Sequence, residues 1–83
     1  MPDIHIYSKN YCPFCRRAIE LLKIKGVTYK VIDVTDDNHL EGEMLQRSGR
    51  STVPQIFIGP RHIGGCDDLF ELDEQGNLDL LLA

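Results

Sequence analysis

The chain has 83 residues, three cysteines, no tryptophan and a net charge of −4 at neutral pH. That length suits a core of modest size, so residues 1–83 are read as one domain. The acidic balance and the absence of a basic cluster exclude a nucleic-acid-binding face, and no apolar run is long enough to span a membrane. The N-terminus lacks the basic region and long apolar stretch of a signal peptide, so the expected location is the cytoplasm. An odd cysteine count without a secretory signal argues against a structural disulfide framework and for redox or metal chemistry.

Asp3-Ile4-His5-Ile6-Tyr7 alternates apolar and polar residues and predicts a short strand. Ser8 to Tyr11 form a loop that leads into Cys12-Pro13-Phe14-Cys15. From Pro13 to Lys25, Ala18, Leu21 and Leu22 recur at helical spacing, and Gly26 follows as a C-cap. The two thiols thus stand where a strand hands over to a helix. Unpaired N–H groups and the positive end of the macrodipole favour a thiolate there. Pro13 suits the first helical position, where its missing N–H costs nothing. With Cys12 as N-cap, its sulfur is placed to accept from Phe14 and Cys15, leaving Cys12 exposed and acidic and Cys15 shielded. Residues three apart on a helix have Cα atoms roughly 5 Å apart, within disulfide range.

Tyr29 to Val34 predicts a second strand, which completes a βαβ unit with parallel pairing. Asn38 with Glu41 resembles a capping pair for a helix carrying Leu40, Met44 and Leu45, which ends near Gly49 despite Gly42 in its middle. Gln55 to Ile58 and Arg61 to Ile63, joined by Gly59-Pro60, predict an antiparallel hairpin. After Gly64-Gly65, Asp67 or Asp68 caps a helix that runs to about Gln75, and Asn77 caps a last turn with Leu78, Leu81 and Leu82. The expected fold class is α/β: βαβ, then a helix, two strands and a helix, forming a four-stranded mixed sheet flanked by helices.

A Cys-x-x-Cys pair in a βαβ context reads as a redox dithiol. A zinc site needs further ligands; Cys66 with His62 or His5 can be nominated, but no second closely spaced pair exists. Lys9 and Arg16 are cations able to favour a thiolate, and Arg17 reads as part of a solvated helix face. Thiols beside cations or helix starts reach pKa values of roughly 3.5–7.5, against about 8.5 ordinarily. Thr52-Val53-Pro54 reads on pattern alone as a turn with an ordinary trans proline at the start of a strand. Gly64-Gly65-Cys66-Asp67-Asp68 offers backbone N–H groups to a carboxylate and aspartates to an ammonium, although on pattern alone a glycine turn with aspartate capping is the favoured reading. Cys66 is expected to be a small buried hydrophobe. No histidine is assigned a catalytic role.

Taken together, Cys12-Pro13-Phe14-Cys15, Thr52-Val53-Pro54 and Gly64-Gly65-Cys66-Asp67-Asp68, in this order and spacing, resemble a glutaredoxin of the small bacterial dithiol type. The resemblance covers nearly the whole chain. It implies a thioredoxin fold, a cis Pro54 facing the thiols, and glutathione as redox partner and co-substrate, with no bound cofactor and no metal. It further implies that Cys12 and Cys15 are catalytic. Val53, with Thr52 and Pro54, would pair with the glutathione backbone; Cys66, Asp67 and Asp68 would hold its γ-glutamyl end, and Lys9 its glycine carboxylate. Phe14 stands where the family usually has tyrosine, so the ring remains and the hydroxyl is lost. Arg47 and Arg50 are both open as a second carboxylate clamp.

The expected function is glutathione-dependent reduction of protein disulfides and glutathionylated proteins by a monomer that binds neither nucleic acid nor membrane. The alternatives are a redoxin recharged by a flavin reductase and a carrier of an iron–sulfur cluster or zinc.

Overall fold

The computed structural model describes residues 2–83. Its elements are β1 (Ile4–Ser8), α1 (Pro13–Ile24), β2 (Lys30–Asp33), α2 (Asn38–Ser48), β3 (Gln55–Ile58), β4 (Arg61–Gly64), α3 (Cys66–Glu74) and α4 (Leu78–Leu82). The four strands form one sheet in the order β2-β1-β3-β4. β1 runs parallel to β2 and antiparallel to β3, and β3 runs antiparallel to β4. The mixed sheet and the element order match the expectation, with strand ends shifted by one residue.

Alternation along the central strands determines what each face buries. Ile4, Ile6, Ile56 and Ile58 point to one side, where they pack with Ala18, Leu21 and Leu22 of α1, Leu69 of α3, and Leu78 and Leu82 of α4. Tyr7 and Phe57 point to the other side and pack with Val34 and Met44 of α2. Helices therefore cover both faces. Lys25 ties the end of α1 to the end of α3 and to α4, through Asp73 at 2.6 Å and Asp79 at 2.9 Å. Arg17, read from sequence as part of a solvated face, stacks over the Phe70 ring at 5.2 Å.

The helix caps differ from the expected ones in detail. Lys25 is the C-cap of α1, and Gly26 is the left-handed residue after it, with φ of +71°. Asp37, not Asn38, caps α2, its Oδ1 accepting from the Leu40 N–H at 3.0 Å. Gly65 occupies the cap position of α3, and Asp68 reaches back to accept the Gly65 N–H at 2.9 Å. The aspartate thus acts from within the first turn, the second half of a capping box, rather than as the cap itself.

Candidate active site

β1 ends at Ser8, and a short loop carries the chain to Cys12, the N-cap of α1. Cys12 is extended (φ −102°, ψ 110°), and its Sγ accepts the Cys15 N–H at 3.2 Å. An otherwise unpaired helical donor is thereby aimed at the sulfur, the arrangement that stabilises negative charge there. Two expectations are corrected. The Cys15 N–H, not that of Phe14, reaches the sulfur, and Cys12 is largely covered, with 9 % of its surface exposed. The cover comes from across the fold: the Cys12 S–H points at the Val53 carbonyl oxygen, 3.9 Å away. Cys15 is fully enclosed, and its burial, reinforced by the neighbouring Cys12 sulfur, pushes its pKa up to about 11. It is a neutral thiol at physiological pH.

The Val53–Pro54 bond is cis, as the resemblance implies and against the trans reading from pattern alone. This loop faces the start of α3 so closely that a Cβ on Gly65 would lie 3.4 Å from the Pro54 carbonyl oxygen. Gly64 has φ of +120°, and a Cβ there would collide with the Asp68 carboxylate. Glycine is therefore required at position 64, by its positive φ and the Asp68 carboxylate, whereas at Gly65 the Pro54 carbonyl leaves room for an ordinary contact.

Beside the thiols lies an open cavity of about 220 Å³, lined by Phe14, Arg50, the run Thr52 to Gln55, and the run Gly65 to Asp68. Every expected binding residue except Lys9 lines it. Lys9 instead pairs with Glu41 at 3.2 Å. Phe14 is exposed and Cys66 buried, with burial pushing the Cys66 thiol pKa up. The Asp68 carboxyl is held below its usual range, first by the Gly65 N–H and then by Arg50, whose guanidinium is 3.1 Å away.

Of the two arginines left open by the sequence, Arg50 is the one at the cavity. Arg47 is engaged elsewhere, donating to the Tyr7 hydroxyl at 2.6 Å and lying over the Phe57 ring at 4.1 Å. Sequence reasoning gave Gln55 no role, although a polar residue opening an apolar strand was a usable signal. His62 also acquires a partner invisible in sequence, the Gln55 Oε1 at 2.7 Å. Among the described residues, no three His, Cys, Asp or Glu side chains gather as a metal-ligand set.

A family model for glutaredoxin matches residues 4–63. The chain belongs to the glutaredoxin family. It is 51% identical to Glutaredoxin 3 of Escherichia coli K12 over 82 residues, spanning 99% of each chain. The solution structure of a glutaredoxin from Brucella melitensis superposes with a TM-score of 0.87 at 51% identity, covering 99% of this chain and 89% of that one. A crystal structure of a buckwheat glutaredoxin–glutathione complex superposes with a TM-score of 0.87 at 35% identity, covering 95% and 74%. The mixed sheet with flanking helices is accordingly the thioredoxin fold. The chain is a glutathione-dependent thiol–disulfide oxidoreductase with glutathione as its substrate. The flavin-reductase and metal-carrier alternatives gain no support from these relatives. Among the described residues, no helix is long and apolar enough to cross a membrane.

Proposed function

We propose that Cys12 is the nucleophile, that Cys15 is the resolving thiol, and that glutathione lies along the cavity from Thr52–Pro54 to Cys66–Asp68. The observation that carries this reading is the Cys12 sulfur, held between a helical N–H donor and the carbonyl edge of the Val53 loop. In that seat the glutathione peptide pairs with Val53, and its γ-glutamyl group meets the N–H groups and carboxylates at the start of α3. Arg50 is the cation nearest to a glutathione carboxylate, and Lys9 takes one by leaving Glu41. The Phe14 ring packs at the rim.

With a glutathionylated protein, the Cys12 thiolate attacks the glutathione sulfur. A Cys12–glutathione disulfide forms and the protein leaves as a thiolate, which takes a proton. The thiolate of a second glutathione attacks the bound glutathione sulfur, releasing oxidised glutathione and restoring the Cys12 thiolate. With a protein disulfide, Cys12 joins one protein sulfur and the other leaves. Cys15 then attacks the Cys12 sulfur, freeing the second protein thiol and leaving a Cys12–Cys15 disulfide that two glutathiones reduce. Because Cys15 is protonated at neutral pH, this second route needs a proton acceptor. The departing protein thiolate supplies one.

This chemistry requires no bound metal or organic cofactor. We read the 83 residues as one functional unit acting as a monomer on disulfide-bonded or glutathionylated proteins, in a reducing compartment such as the cytoplasm where its three thiols stay free. Cysteine variants test the division of labour. Cys12→Ser is expected to abolish both activities, and Cys15→Ser to retain reduction of glutathione mixed disulfides while losing that of protein disulfides. Substantial activity in Cys12→Ser refutes the assignment.

A further inference from the structure

Gln55 opens β3 directly after Pro54 and is 1 % exposed, yet it carries a full amide. A buried amide left without partners is costly, so where its hydrogen bonds go is informative. Its Nε2 donates to the Thr52 carbonyl oxygen at 3.0 Å and to Thr52 Oγ1 at 3.3 Å. A carbonyl oxygen accepts and never donates, so the amide nitrogen must face Thr52 and Oε1 must face His62. His62 Nε2, 2.7 Å from that oxygen, therefore carries the proton. His62 is itself stacked on Phe57, with ring centroids 4.9 Å apart. The result is a one-way chain of donors from β4 through β3 to the loop: His62 to Gln55 to Thr52.

Thr52 is outside every helix and strand, and its own side is exposed. Among the described residues, both hydrogen bonds that reach it come from Gln55. We propose that Gln55, oriented by His62, is a positioning residue that fixes the Thr52-Val53 backbone edge presented to the glutathione peptide. This rests on the reading that glutathione pairs along Thr52–Pro54. Gln55 makes no hydrogen bond to a thiol and meets Cys12 only through the loop, whose Val53 carbonyl faces the sulfur at 3.9 Å, so its main effect falls on how firmly glutathione is held.

The test compares wild type with Gln55→Leu, Gln55→Glu and His62→Phe. Glutamate keeps the size and the acceptor for His62 but cannot donate to the Thr52 carbonyl as a carboxylate; phenylalanine keeps the stacking on Phe57 and removes the donor. The readouts are KM and kcat for a glutathionylated peptide, the rate of Cys12 alkylation by iodoacetamide, and the melting temperature. Both Gln55 variants are expected to raise KM about fivefold or more, as the loss of roughly one net hydrogen bond would. His62→Phe is expected to raise it about twofold, with kcat and alkylation within about twofold of wild type throughout. Should Gln55→Leu fail to fold, Gln55→Glu and His62→Phe carry the test. Unchanged KM in the folded variants overturns the proposal, as does an equal fall in alkylation rate, which would place the effect on the thiol. Amide shifts of Thr52 and Val53 when glutathione is added to wild type check the seat separately. If those amides do not respond, the seat is wrong; if they respond and KM is unmoved in the variants, the positioning role is wrong.

Discussion

Asp68 is a sharp test of how the α3 end of the cavity is built. Asp68→Ala removes the acceptor for the Gly65 N–H at 2.9 Å and the partner of Arg50 at 3.1 Å. The first resembles a capping interaction and contributes about 1 kcal/mol. The second joins side chains that are 49% and 43% exposed, and solvent screening reduces it to roughly 0.5 kcal/mol. The sum, about 1.5 kcal/mol, corresponds to a Tm lower by roughly 6–12 °C for a chain of this size. Asp68→Asn keeps an acceptor for Gly65 and loses only the charge, so it should fall less than halfway. The sign of the pH dependence follows from the lowered carboxyl pKa, which Gly65 and then Arg50 produce. Folding favours the ionised form, so this stabilisation is present above the unfolded value of about 3.9 and is lost as pH falls through the lower folded value. Urea unfolding should therefore show a constant gap between wild type and Asp68→Ala from about pH 5 to 7, narrowing below about pH 4. In the glutathione assay at neutral pH, KM for a glutathionylated peptide should also rise several-fold. A stability gap that keeps its full size well below pH 3, or none at pH 7, would refute this account of the carboxylate.

Gly42 lies mid-helix in α2, exposed, with open space where a Cβ would be. Gly42→Ala should raise stability by about 0.8–1 kcal/mol in urea unfolding, and a decrease would show that the helix uses the glycine for something other than chain freedom. Cys15, held as a neutral thiol with a pKa of about 11, should stay unlabelled when the reduced chain meets iodoacetamide at pH 7.5, while Cys12 reacts. Peptide mapping that finds comparable label on both would contradict the protected environment of Cys15.

The sheet was legible in the sequence because its signal is local: Ile4, His5, Ile6 and Tyr7 declare the strand and its two faces through side-chain alternation alone. The thiol pair was legible for the same reason, since Cys12, Pro13 and Cys15 are read within one helical turn. What covers Cys12 was not, because Val53 lies 41 residues away and meets it only once the sheet has formed. The isomer of Pro54 was likewise outside the reach of pattern; the resemblance to a family supplied it. Capping fell between these cases. Asp37 and Asn38 are both competent caps, and the folded chain uses Asp37, whose Oδ1 accepts the Leu40 N–H.

The polar groups of the cavity and of the loop before Cys12 divide by burial, and the division has a functional consequence. Gln55 is enclosed and fully partnered, so its hydrogen bonds are costly to break and hold the loop in one shape. Arg50 and Lys9 are instead held by Asp68 and Glu41 in half-exposed ion pairs, whose net contribution is small. A glutathione carboxylate arriving at the proposed seat therefore exchanges with a protein carboxylate at little cost, while the backbone edge that reads its peptide stays fixed. Asp68 stands on both sides of this division, because one oxygen serves the Gly65 N–H as well as Arg50. Releasing Arg50 to a ligand leaves the Gly65 contact in place, so the start of α3 keeps its form while the cation changes partner.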